Sequence, residues 1–142
     1  MKNKMKLEFP ASSDNERFAR TVAAAFILEL DPTIDEMSEI KTAVSEAVTN
    51  AIIHGYGQRG GTVTLEGYID GNAVEFTIAD EGEGIEDIEK AREPLYTGRP
   101  DMERSGMGFT IMETFMDSVS VESIPGKGTK VKMSKRIEQV QQ

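Results

Sequence analysis

The sequence predicts an α+β fold, a two-layer sandwich in which helices cover one face of a mixed, mostly antiparallel sheet. Three observations carry that prediction. Apolar residues recur at helical spacing in the first third of the chain and at alternate positions in two later stretches. Each alternating stretch doubles back across a turn signal, which pairs its strands antiparallel. No alternation of strand and crossover helix, which a parallel sheet would need, is present.

Taken in order, Lys6 to Phe9 alternates polar and apolar residues before Pro10 and reads as a short edge strand, where a proline leaves no ladder bond unmade. Ser13-Asp14-Asn15-Glu16 has the S-x-x-E form of a capping box, in which hydroxyl and carboxylate each accept an otherwise unpaired backbone N–H. Phe18, Val22, Ala25, Phe26 and Leu30 follow as the stripe of a first helix that ends near Asp31-Pro32. A second box, Thr33-Ile34-Asp35-Glu36, opens a second helix with Met37, Ile40, Val44, Ala47 and Ala51 as its stripe and Gly55 as its stop. After Gly60-Gly61, Val63, Leu65, Gly67 and Ile69 alternate with Thr62, Thr64, Glu66 and Tyr68. Asp70-Gly71 supplies a type I′ turn, and the return strand carries Val74, Phe76 and Ile78 to Asp80. Ile85 to Arg92 reads as a short helix, and Glu93 to Met107 as a loop of the length found in lids and binding segments. Gly108 to Met116 begins a further helix, and Ser118 to Ile124 pairs with Thr129 to Ile137 across Pro125-Gly126-Lys127-Gly128. Residues 1–137 are expected to form a single domain, with 138–142 as a frayed tail.

Composition narrows the function. The 25 acids against 16 bases give a net charge of -9, and with 6% aromatic residues this disfavours direct nucleic-acid binding, which needs clustered cations. Without cysteine the chain has no disulfide, thiol nucleophile or thiolate metal site. MKNKMKLEFP lacks the apolar core of a signal peptide, and no apolar run is long enough to span a membrane, so a cytoplasmic protein is expected.

Three stretches carry chemistry. In SEAVTNAIIHGYG (Ser45 to Gly57), Glu46 and Asn50 lie four residues apart on one side of the helix, flanking its apolar stripe. They are either a surface acid with an amide neighbour, or a pair that faces a cavity, a metal or a ligand. Asp80-Glu81-Gly82-Glu83-Gly84 puts an acid at the end of a core strand, followed by glycines at alternate positions. That is either a tight turn leading into the helix at Ile85 or a carboxylate placed to accept a hydrogen bond from an amino group, such as that of adenine. Glu103-Arg104-Ser105-Gly106-Met107-Gly108-Phe109 sets two glycines and an arginine before a helix, either a plain junction or an anion site. Gly126-Lys127 lacks the spacing of a phosphate-binding P-loop. His54, in the last turn of its helix, reads as structural or ligand-adjacent rather than as a phosphoacceptor.

Together SEAVTNAIIHGYG, DEGEGI and RSGMGFTIM resemble the GHKL (Bergerat-fold) ATPases and, at these separations on so short a chain, the bacterial anti-sigma factor serine kinases. The resemblance covers nearly the whole chain, from MKLEFP to GTKVKM. It implies ATP or ADP as ligand and Mg²⁺ as cofactor, with Asn50 as the side chain that holds the metal. It makes Glu46 a general base and Arg104 a catalytic cation at the γ-phosphate. Asp80 would take the adenine amino group, Gly82 and Gly84 would let the base lie against the loop, and Thr129 would add a contact through water. Ser105, Gly106, Met107 and Gly108 fall to the lid over the phosphates.

The same resemblance implies a kinase for a serine of an anti-anti-sigma protein that also withholds a sporulation sigma factor, of the sigma F type, from RNA polymerase. Arg17 and Arg20, one turn apart on the first helix, would then contact a partner. A homodimer is expected through the unpaired edge of the strand at Met5 to Phe9. The competing reading is a nucleotide-switched sigma-binding module without phosphotransfer.

Overall fold

The computed structural model describes residues 2–56, with side chains to residue 53, together with 60–82, 92 and 108–138. In chain order its elements are β1 (Lys2–Pro10), α1 (Asp14–Phe26) running into a 3-10 turn (Ile27–Leu30), and α2 (Ile34–Asn50) running into a π turn (Ala51–Tyr56). There follow β2 (Thr62–Asp70), β3 (Ala73–Asp80), α3 (Gly108–Phe115), β4 (Ser118–Ile124) and β5 (Gly128–Arg136). The strands form one sheet in the order β1-β2-β3-β5-β4, so β1 is an edge strand. The α+β sandwich is as expected, except that every pairing among the described strands is antiparallel and none is mixed. The expected helix at Ile85 to Arg92 and the loop at Glu93 to Met107 lie outside the described residues, save Arg92, whose Nε is 2.6 Å from Glu113 Oε1.

β1 begins at Lys2, four residues before the expected strand, because it pairs with β2 along its whole length. Lys2 faces Asp70 and Lys6 faces Glu66, which sets opposite charges across the ladder. Alternate residues of the inner strands, among them Val63, Leu65, Phe76, Ile78 and Met133, turn inward and are almost fully buried against the helices. Each such side chain contributes about 1.5–3 kcal/mol of transfer free energy.

The first helix is rotated relative to the expected stripe. Phe18 is 49% exposed, whereas Ala19, Ala23 and Ile27 are buried; Leu30 of the expected stripe is buried as well. The small alanines bring α1 close to α2, and the bulkier residues that attract attention in the sequence lie to either side. Phe26 is one of them: its ring packs edge-on to Phe76 at 6.2 Å. It also lies over Gly67, where a Cβ would come within 2.7 Å of the ring.

The two predicted capping boxes differ. At α2 the box is complete: Glu36 N–H donates to Thr33 Oγ1 (3.1 Å) and Thr33 N–H to Glu36 Oε1 (2.9 Å). At α1 it is absent, because Ser13 makes no side-chain cap bond. Glu16 is engaged elsewhere, accepting from Ser45 Oγ on α2 and lying 3.8 Å from Arg20 Nε. The other oxygen of Glu36 accepts the N–H of Glu138 (2.9 Å), so the chain is tied to α2 at the first residue of the expected frayed tail; residues 139–142 lie outside the described residues. Burial pushes the Glu36 carboxyl up, but the N–H donors of Thr33 and Glu138, the Thr33 hydroxyl and the Lys135 charge outweigh it and hold the group below its usual range.

The β2–β3 turn is Gly71-Asn72 rather than Asp70-Gly71, since Asp70 still pairs with Ala73. Gly71 has φ +65 and Asn72 has no positive φ, the type II′ pattern rather than I′. Lys135 on β5 joins three elements: its Nζ donates to the last-turn carbonyl of Phe115 on α3 (2.7 Å) and lies 3.2 Å from Glu39 on α2. Met112 and Met116 at the end of α3 are buried in the core.

Candidate functional site

α2 places Glu46 and Asn50 one turn apart, both half-buried, beside the buried stripe of Ile40, Val44 and Ala47. What they face is the start of α3. A Cβ on Gly108 would lie 3.1 Å from Asn50 Nδ2, 3.3 Å from Asn50 Oδ1 and 3.3 Å from Glu46 Oε2. Glycine at the first position of α3 therefore lets the helix N-terminus approach the acid and the amide without displacing them. The N–H groups of a helix's first turn favour negative charge, which suits both Glu46 and an anionic ligand.

Asp80 closes β3 on the inner face of the sheet and is 9% exposed, the one buried charged residue among those described. Burial pushes its carboxyl up to about 6, although the N–H groups of Gly82 and Thr129 donate to it and pull the other way. The Gly82 bond to Oδ1 is 2.9 Å. The local fold rests on Gly128, which adopts φ +127 and where a Cβ would meet Asp80 O at 2.1 Å and Glu81 Cα at 2.8 Å. Only glycine lets β5 start that close to the end of β3.

Thr129 pairs with Asp80 across β3 and β5, and Ser123 pairs with Thr129 across β4 and β5. Sequence reasoning missed Gly128 and Ser123. The signal for Gly128 was a glycine directly before a strand, and for Ser123 there was none beyond its place in the hairpin. The π turn that follows Asn50 packs against β3 and β5, so the Glu46–Asn50 end of α2 runs into the strands that hold Asp80 and Thr129.

The structure thus brings Glu46, Asn50 and Gly108 together, and Asp80, Gly82 and Thr129 together. Gly84, Arg104, Ser105, Gly106 and Met107 lie outside the described residues, as does the side chain of His54. The donor set fits the groups the sequence implied. Mg²⁺ keeps most of its water and takes few protein ligands, so one amide oxygen beside a carboxylate suits it. Among the described residues no cluster of three acids or histidines could cage a metal by itself.

The model of the histidine kinase-like ATPase domain matches residues 9–135. The anti-sigma F factor of Clostridium acetobutylicum is 60% identical over 136 residues, 96% of this chain and 95% of that protein. The chain belongs to the anti-sigma F factor family of histidine kinase-like ATPase domains. The same family includes the anti-sigma F factor of Clostridium botulinum (strain Eklund 17B / Type B), 62% identical with 94% of each chain covered. That of Halalkalibacterium halodurans is 61% identical over 138 residues, with 96% of this chain and 94% of that protein covered.

Among solved structures the family fold is seen in the RsbU and RsbW domains of a Mycobacterium tuberculosis protein, with a TM-score of 0.71 at 17% identity over 97% of this chain. The match spans about a third of that structure's own chain, 33%. Full-length ShkA in complex with AMPPNP matches with a TM-score of 0.59 at 21% identity, over 94% of this chain and 32% of its own.

Proposed function

We propose that this protein is an ATP-dependent protein-serine kinase and an anti-sigma factor. It holds a sporulation sigma factor of the sigma F type away from RNA polymerase, and it phosphorylates a serine of an anti-anti-sigma protein. The observation that carries the reading is the approach of Gly108 to Glu46 and Asn50, in a chain 60% identical over nearly its whole length to a protein named anti-sigma F factor.

Asp80 accepts the amino group of the base; Gly82 and Gly84 leave room for the ring, and Thr129 adds its hydroxyl. Asn50 holds Mg²⁺ through its amide oxygen, and the metal supplies charge neutralisation at the phosphates when bound. The start of α3 at Gly108, with Ser105, Gly106 and Met107 before it, covers the phosphates, and Arg104 steadies the γ-phosphoryl group. Glu46, one turn before Asn50, takes the proton of the attacking serine hydroxyl.

Arg17 and Arg20 on α1 are offered to a partner, and the edge of β1 that no described strand pairs is offered to a second copy of the chain. Residues 1–137 act as one kinase domain. No described helix is long and apolar enough to cross a membrane, and the protein is taken to work in the cytoplasm.

The test is incubation of the purified chain with labelled ATP and the anti-anti-sigma protein. Glu46→Gln is expected to keep nucleotide binding and lower transfer by about 10²- to 10⁴-fold, whereas Asn50→Ala weakens binding and transfer together. Normal transfer by Glu46→Gln would remove the base assignment. Sigma binding without any labelled acceptor would leave a nucleotide-switched module in its place.

A further inference from the structure

α3 is held at both ends by one face of α2. Glu46 and Asn50 follow Glu39 on α2 by seven and eleven residues, close to two and three whole turns, so each leaves the helix within about 20° of the direction of Glu39. At one end of that face, Glu46 and Asn50 meet Gly108, the first residue of α3. At the other, Lys135 of β5 reaches between the helices. Its Nζ donates to the carbonyl of Phe115, the last residue of α3, at 2.7 Å and lies 3.2 Å from Glu39 Oε2. The span from Gly108 to Phe115 equals that from Glu39 to Glu46, about 10 Å at the α-helical rise, so α3 lies packed alongside α2 in the opposite sense.

Between its ends α3 offers Phe109 and Met112 to the core. Apolar contact is non-directional, and a methionine adapts to small displacements, so this packing holds a two-turn helix against its neighbour without fixing its position along it. The ends supply the direction. The carbonyls of the last turn have no partner within the helix and carry the negative end of its dipole, and an ammonium bonds them more firmly than a neutral donor would. The side chain of Lys135 is only 12% exposed, which shields that bond from water. Glu39 holds the same ammonium, so the stop for α3 is built on the helix that carries the acid and the amide.

We propose that Lys135 is a positioning residue for phosphoryl transfer: by clamping the far end of α3 to α2 through Glu39, it sets where the N-terminus of α3 stands against Glu46 and Asn50. The proposal rests on the kinase reading given above. In that reading Glu46 faces the hydroxyl that attacks the terminal phosphate, so the start of α3 beside it meets the group that ATP has and ADP lacks. A misplacement of about 1 Å at reacting groups costs on the order of 100-fold in rate.

Calorimetry of ATP and ADP binding to the full chain with Mg²⁺ present, together with transfer of labelled phosphate from saturating ATP to the anti-anti-sigma protein, tests the proposal. Lys135→Met keeps the stem and removes the donor. It is expected to weaken ATP about tenfold and ADP less than about threefold, and to lower transfer on the order of 10- to 100-fold. Lys135→Arg keeps a cation for both acceptors and is expected to return the ratio and the rate to within about threefold of wild type. Ile69→Val, which removes packing from β2, should lower stability and leave the ATP-to-ADP ratio as it is, so a general loosening of the fold is told apart from misplacement of α3. If Lys135→Met does not fold, Glu39→Gln decides: it loosens the ammonium from α2 without stripping the Phe115 carbonyl, and should move the ratio the same way by about threefold. A folded Lys135→Met with the wild-type ratio overturns the role of Lys135, as does a Lys135→Arg protein no better than Lys135→Met. A wild type that binds both nucleotides and labels no acceptor overturns the kinase reading instead, and the ratio then decides on Lys135 alone. A wild type that binds neither nucleotide overturns both.

Discussion

Folding raises the proton affinity of Asp80, and this gives the protein a pH dependence opposite to that of most carboxylates. The unfolded carboxyl gives up its proton near 3.8 and the folded one near 6. Between those values the folded state holds the extra proton, so stability falls as pH rises. The full shift corresponds to about 3 kcal/mol, and the part lost between pH 5 and pH 8 to about 1.4 kcal/mol. Urea unfolding at several pH values in that range should show the loss, and Asp80→Asn should remove it. The amide leaves one of the two N–H donors without an acceptor, a penalty of about 1–3 kcal/mol at every pH. The slope, not the absolute stability, is therefore the quantity to compare. Glu36, held low in the fold, contributes stability that is lost only as the solution becomes more acidic than its normal range, and it does so in both proteins. Parallel slopes for the wild type and Asp80→Asn would refute the claim that burial of this carboxylate is the dominant influence on it.

Gly128→Ala, at φ +127 with Asp80 O 2.1 Å from the added carbon, should cost about 2–4 kcal/mol from backbone strain and overlap together. Gly126→Ala, at φ +82 in open space, should cost about 1 kcal/mol from the backbone alone. Chemical denaturation of the pair separates the two contributions, and equal losses would sink the close-approach explanation. Thr33→Ala should lower stability by about 1 kcal/mol because it breaks a complete capping box. Ser13→Ala should change stability by less than about 0.5 kcal/mol, being a surface substitution that removes no cap bond; a loss as large as that of Thr33→Ala would show that Ser13 caps α1 in solution.

Most of the architecture is legible in the alternation of Val63 to Ile69 and Val74 to Ile78, because a two-residue period leaves only one way to bury a sheet face. The stripe of α2 is legible for the same kind of reason, since its residues are large enough to dominate the helical period. The stripe of α1 is not. Two of its core positions are Ala19 and Ala23, and alanine scarcely differs from the polar face in hydrophobicity, so the exposed Phe18 misdirects the reading while Phe26 does pack against the core. The Ser13 box fails because a capping signal in sequence does not reveal competition: Ser45, twenty-nine positions away, takes Glu16. At the site, Glu46, Asn50 and Asp80 were visible as polar residues at core-flanking positions. Gly128 and Ser123 were not, because their work depends on β5 starting against the end of β3, a distance that only the assembled sheet defines.

The turn after Asn50 winds with π rather than α spacing through Ala51–Tyr56. A wide turn of this kind holds one residue more than the α-helix would. The turn absorbs that residue locally, so removing one would let the segment close to α winding with the later positions kept near their present direction. A deletion within the regular part of α2 would instead turn every later position by about 100°. In this chain the wide turn lets the link between Asn50 and β2 change by one residue without turning the face that carries Glu46 and Asn50.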